Sequence, residues 1–231
     1  EAAQGVLNQA LRLKGELRGM VRLGTISEPV ALRLGDFLSA LVATHPGLEV
    51  QLQQGVSGTV LDDVRAGRLD AGYVLDDEPD DTLCWVKLAD VSLHVVGPAV
   101  WGEAFRTATW REIVERSWVG TPPACSFHHI TERLFQAQGL RPNTVAVADQ
   151  ERTLRSLVAA GVGATLLRED QATAAIEAGE AVRWPGAEHR TGLWFVYQRH
   201  RGGEPVLQTL TEFVRRTWAS EQDDHLRPAG R

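Results

Sequence analysis

Residues 45–73 read HPGLEVQLQQGVSGTVLDDVRAGRLDAGY. Leu48, Val50 and Leu52 alternate with Glu49 and Gln51, the period-two signature of a strand. Gly55-Val56-Ser57-Gly58 breaks the alternation. Val60, Leu61 and Val64 then follow a helical period, Gly67 stops the helix, and residues 69–75 open a second strand. The chain repeats this order at 140–167, LRPNTVAVADQERTLRSLVAAGVGATLL. That segment predicts a strand over 144–148, a cap at Asp149, a helix anchored by Leu154, Leu157 and Val158, a stop at Gly161, and a strand over 164–167.

Each copy has a matching prelude. A strand over 21–26, Ser27 and a helix carrying Leu34, Phe37, Leu38 and Leu41 precede the first. A strand over 118–120, a break at 121–125, Ser126 and a helix carrying Ile130, Leu134 and Phe135 precede the second. The pattern is two β-α-β-α-β halves, an α/β fold of two Rossmann-like lobes. Ligands of open α/β sheets bind beyond the carboxyl ends of the strands, at helix N-termini, so two facing lobes make a binding cleft.

Between and after the halves, residues 83–88 and 91–96 read as two strands, and Gly97-Pro98 marks a lobe boundary. Residues 101–116 carry helical turns with Phe105, Trp110, Ile113 and Val114. Residues 174–189 read as a loose region holding a short strand at 181–184. The apolar run 193–198 (LWFVYQ) is suited to a buried strand crossing back to the first lobe. A helix over 205–218, with Val206, Leu207, Leu210, Phe213 and Val214 on one face, completes that lobe. Lobe I is therefore expected at 19–97 and 193–218, and lobe II at 98–192. Residues 219–231 read as a disordered tail. Residues 1–18 read as the end of a linker helix that begins upstream, with Val6, Ala10, Leu13 and Leu17 as its apolar stripe.

The 231 residues suffice for one large or two small domains. The net charge is −6, and no block of Lys or Arg stands out, which argues against a nucleic-acid grip through this chain's own surface. No run approaches the ~20 apolar residues of a membrane span. Two cysteines, Cys84 and Cys125, fit a reducing cytoplasm. Cys125 stands just before a helix start, where a thiol pKa can be lowered; the two are expected in different lobes, out of disulfide reach.

Enzyme and cofactor motifs fail on inspection. Gly55-Val56-Ser57-Gly58 is not a G-x-S-x-G elbow. Gly161-Val162-Gly163 lacks the third glycine of a dinucleotide fingerprint and follows a helix instead of opening one. His128-His129 are adjacent, so on a helix their side chains diverge by about 100°, and no metal is expected there. The reading is of a binding domain without cofactor, not an enzyme.

The two segments quoted, in that order and spacing, resemble the effector-binding region of LysR-type transcriptional regulators over about 19–218. The resemblance implies a type 2 periplasmic-binding-protein-like fold, two Rossmann-like lobes joined by two crossover strands. It implies a cytoplasmic regulatory domain that binds a small organic effector between its lobes, pairs with copies of itself as a dimer or tetramer, and reaches promoter DNA only through an N-terminal winged helix-turn-helix absent from this sequence. A solute-binding protein of a transport system is the alternative on the same fold.

Ser27, Ser57, Ser126 and Asp149 each precede a helix, either as simple N-caps or as cleft residues where helix ends favour an anion. The family places ligand contacts at positions matching Ser27, Glu28, Ser57, Cys125, Ser126 and Phe127. Glu28 departs from the small hydroxyl residue many members carry, and a carboxylate there favours a zwitterion over a plain acid. Arg152 reads either as a surface charge or as a clamp for a ligand carboxylate. The expected effector bears a carboxylate or similar anionic group.

Overall fold

The computed structural model describes residues 17–26, 29–77 and 79–219. Ser27 and Glu28 lie outside the described residues, as do nearly all of the 1–18 stub and the 219–231 tail. In chain order the elements are β1 (Arg18–Thr25), α1 (Leu34–Thr44), β2 (Gly47–Gln54), α2 (Ser57–Arg65), β3 (Ala71–Asp76), β4 (Leu83–Pro98), α3 (Gly102–Arg106), α4 (Trp110–Glu115), β5 (Ser117–Gly120), α5 (Ser126–Gln136), β6 (Asn143–Val147), α6 (Glu151–Ala159), β7 (Thr165–Arg168), α7 (Glu169–Glu177), β8 (Ala181–Gln198) and α8 (Pro205–Ala219).

Six strands form one mixed sheet in the order β2-β1-β3-β8-β4-β7, and β5 pairs with β6 in a second sheet. The repeat read from sequence is present: β1 lies parallel to both β2 and β3, and β5 lies parallel to β6 and bridges to Ala164 beside β7. The helix stops at Gly67 and Gly161 have φ of 70° and 81°, a left-handed turn that a side chain resists.

The two halves are tied by β4 and β8, which run antiparallel through both. Residues 83–91 of β4 pair with 191–198 of β8 beside β3, and residues 93–98 pair with 181–189 beside β7. Here the structure corrects the sequence reading. The strands expected at 83–88 and 91–96 are one strand, bulged between Lys87 and Ala89. The short strand at 181–184 and the run at 193–198 are one strand as well, with the intervening Pro185-Gly186 near the register shift between His94 and Val96. The loose region expected over 174–189 is instead the end of α7, which closes at Glu177, followed by the first half of β8, which begins four residues later. The helical turns expected over 101–116 divide into α3 and α4, the second opened by a Thr109–Glu112 capping box.

Each half buries its own aromatic set. In the first, Tyr73 meets Phe195 edge-on at 5.3 Å, beneath Phe37 and Leu41 of α1 and Leu207, Leu210 and Val214 of α8. In the second, Phe135 packs edge-on to Trp118 and Trp110, with ring centroids 5.0 and 5.6 Å apart, and Trp110 packs edge-on to Trp184. Both aromatic sets belong to one continuous apolar core that also takes in Leu93, Val95 and Val96 of β4.

Candidate functional site: the cleft between the lobes

The N-termini of α2 and α5 meet face to face. Ser57 is the first residue of α2, and its cap is Val56; Ser126 is the first residue of α5, and its cap is Cys125. Neither serine caps its helix through its side chain, and the cap of α6 is Gln150 instead of Asp149. The capping alternative for these residues is thereby corrected. The reason is that their oxygens are engaged elsewhere. Ser57 Oγ accepts a hydrogen bond from the Leu75 N–H at 3.1 Å, which fixes α2 on the end of β3. The same oxygen lies 3.3 Å from Ser126 Oγ. One position on, the Gly58 N–H donates to the Ala124 carbonyl at 2.9 Å. A Cβ at position 58 would lie 2.5 Å from that oxygen, so only glycine permits this approach.

These contacts divide the cleft. On one side is a compartment of about 720 Å³, lined by both serines, Gly58, Leu75, His128, His129 and Ile130, and by charged groups. Its volume lies within the range of small-molecule sites. The charged lining is Asp62, Asp76, Asp77 and Glu132 against Arg133. Arg133 of α5 pairs with Asp77 Oδ2, and His189 Nε2 of β8 lies 2.9 Å from the same oxygen. The His128 ring is held through Nδ1, 3.1 Å from the Thr121 carbonyl.

On the other side is a hollow of about 30 Å³. Ile26, Val56, Leu75, Phe127 and Leu154 give it apolar walls, and Thr121, Cys125, Asp149 and Glu151 give it polar ones. Behind it, Glu151 and Arg168 form an ion pair at 2.8 Å, with both side chains almost entirely buried. Burial pushes the Glu151 carboxyl up, and the Arg168 charge opposes the shift without cancelling it. Burial also pushes the Cys125 thiol up, outweighing the hydrogen bonds around it. The lowering that a helix start can bring to a thiol is outweighed here. Cys84 and Cys125 are both free thiols.

Of the residues singled out in the sequence, Ser57, Cys125, Ser126 and Phe127 come together here. Arg152 does not join them: its exposed side chain lines a separate hollow with Arg155, Gln171 and Glu180. Sequence reading missed Asp77, Arg133, His189, Thr191, Glu151 and Arg168. Asp76-Asp77 did leave a signal, as two carboxylates closing an otherwise apolar strand. Arg168 left one too, as a charge ending the apolar run 164–167. Among the described residues, no group of three or more His, Cys, Asp or Glu side chains is arranged to hold a metal ion.

Residues 14–219 match the model of the LysR substrate binding domain. The chain belongs to that family. A relative of the LysR domain described here is YybE of Bacillus subtilis strain 168, described as an uncharacterized HTH-type transcriptional regulator. It is 23% identical over 199 residues, which are 85% of this chain and 68% of YybE. Among solved structures, the effector binding domain of QuiR in complex with shikimate superposes with a TM-score of 0.73 at 13% identity, covering 88% of this chain and 99% of that one. The regulatory domain of CcmR from Synechocystis PCC6803 in complex with 2-PG gives 0.72 at 12% identity, covering 87% and 98%. The fold shared with these LysR-family domains is the type 2 periplasmic-binding-protein-like one expected from the sequence. The chain is an effector-binding domain of the LysR type, and among its described residues no helix is long and apolar enough to cross a membrane.

Proposed function

We propose that this domain senses a small organic molecule held between its lobes, and that the whole protein uses the sensed state to control transcription in the cytoplasm through a helix-turn-helix outside this sequence. The observation that carries the reading is the Ser57–Ser126 and Gly58–Ala124 contact. A donor amide at one helix N-terminus takes a carbonyl from the other lobe, at the point where helix dipoles favour negative charge. A ligand carboxylate or similar anionic group is a better acceptor than a neutral carbonyl, and it enters by taking that carbonyl's place. Ser57, Ser126, Cys125 and Phe127 line the path, and Ser27 and Glu28 are carried as further contacts from the family pattern. The ligand shifts the balance between lobe arrangements by its differential affinity for them. The reading is one of binding rather than catalysis.

A thermal-shift panel of small carboxylic acids, amino acids and neutral polyols on this chain tests it, since a ligand of the folded state raises stability as RT ln(1 + [L]/Kd). A compound that raises the melting temperature is expected to bind less tightly to Ser57→Ala and Ser126→Ala, by about 0.5–1.5 kcal/mol each and more if the lost bond meets a charge. A stabilising compound indifferent to both substitutions contradicts the cleft assignment.

A further inference from the structure

The larger compartment carries more than the proposed function uses. Four carboxylates line it against one guanidinium among the described residues, and that guanidinium is already spent on Asp77. A second, independent observation points the same way. Thr191 of β8 lines the compartment, is 3% exposed, and its Oγ1 has no hydrogen-bond partner among the described residues. Asp77 Oδ1 is likewise buried with no hydrogen-bond partner among the described residues, although Oδ2 is contacted by both Arg133 and His189. Buried acceptors left unpaired are rare in folded proteins and mark places completed by something else.

We propose that this compartment receives an organic ammonium group, so that the effector is an amine or a zwitterion. The inference rests on the proposed function and names its ligand class. The nitrogen replaces Arg133 at Asp77: three N–H donors meet Asp77 Oδ1, Asp77 Oδ2 and Thr191 Oγ1, a set that one ammonium can satisfy and that Arg133, reaching only Oδ2, leaves incomplete. His189 stays on the Asp77 side of the exchange. Arg133, already half-exposed on α5, turns outward. The lobes share the compartment's lining at Ser57, Gly58 and Ser126, so a zwitterion spans both features: its anionic end at the helix N-termini and its ammonium at Asp77. The exchange also gives the ligand a lever on lobe geometry. Asp77 follows β3 of the first lobe and Arg133 belongs to the second, so each ligand bound removes one ion pair between lobes.

Calorimetric titration with 1,4-diaminobutane, L-ornithine and glutarate tests this on the wild-type chain and on Asp77→Asn, Thr191→Val and Arg133→Gln. The expected result is binding of one or both amine-bearing probes below about 10 mM, loss of at least about tenfold in affinity in Asp77→Asn and Thr191→Val, and a gain of several-fold in Arg133→Gln, where the competitor is gone. The gain separates ligand contact from a structural role, because loss of an ion pair that only holds the fold cannot tighten amine binding. If glutarate binds in a manner sensitive to Ser57→Ala while neither amine binds, the cleft reading stands and the ammonium inference falls. If the amines bind equally to all four proteins, the inference also falls. If none of the three probes binds the wild-type chain at about 10 mM, the ammonium site is overturned, while the cleft reading keeps its own test in the wider panel.

Discussion

At the residue scale, the site is made by atoms whose roles differ from those of their residue types in isolation. A serine at a helix start usually caps it, yet Ser57 spends its oxygen on the Leu75 amide and on Ser126 across the cleft. Glu151 shows how burial sets a charge. Its carboxyl is raised from the ordinary value of 4.5 by burial, against the pull of Arg168. A raised folded-state pKa means that the folded chain holds the proton more tightly than the unfolded one. The group's contribution to stability is therefore fully present below 4.5 and is lost as pH rises through the folded value. Glu151→Gln, which stands in for the protonated carboxyl beside Arg168, removes that dependence, so the two proteins should differ most at neutral pH. Melting temperatures of both proteins between acid and neutral pH check this: the variant's profile should lack the decline seen in the parent, and parallel profiles would count against the assignment. The serine pair was legible in the sequence because each serine follows a glycine-bearing or proline-bearing break before an apolar-periodic helix. Asp77, His189 and Arg133 were not legible as a unit. They come from segments 112 and 56 residues apart, and only the sheet order brings them together.

At the element scale, the repeated β-α-β-α-β halves could be read because period-two and helical patterns are local. The two long strands could not, because their continuity depends on pairing. Pro185 and Gly186 look like a turn in the sequence; in the fold they fall where β8 shifts register against β4, and pairing resumes at Glu188 with His94. Helix α7 was missed because EDQATAAIE offers few large apolar anchors, and it buries only Ala172 and Ala175 fully. Elements also leave edges. β2 is an outer strand of the large sheet, with Leu52 46% exposed, and Val42 of the neighbouring α1 is 48% exposed. β6 edges the small sheet with Val145 and Val147 at 52% and 61%. Such edges invite pairing with another chain. Self-association is expected to place the α1–β2 face of one copy against the α5–β6 face of another, burying over ~1,000 Å². Light scattering at about 100 µM should report dimers or larger, and Val147→Asp should shift the population to monomer with the melting temperature nearly unchanged. A monomeric parent chain, or a variant that assembles as well as the parent, would contradict this.

At the scale of the whole molecule, one apolar core runs through both lobes, which are also joined by β4 and β8 and by polar contacts within the cleft. Among the described residues the contacts within it include one serine pair, one amide-to-carbonyl bond and the Arg133–Asp77 ion pair. Such contacts can be traded for ligand contacts at small net cost, which is what a sensor needs. Two lobes and a cleft were deducible from the sequence; the closed contact was not, because it joins residues 69 positions apart through their turns. The most direct test of the cleft as the sensing site is amide hydrogen exchange on this chain, with and without the compound that gives the largest thermal shift. Added protection is expected at 57–61, 75–77 and 124–130, the two sides of the cleft, with little change along the outer edge strand β2. Protection confined to β2 and α1, with the cleft segments exchanging as before, would contradict it.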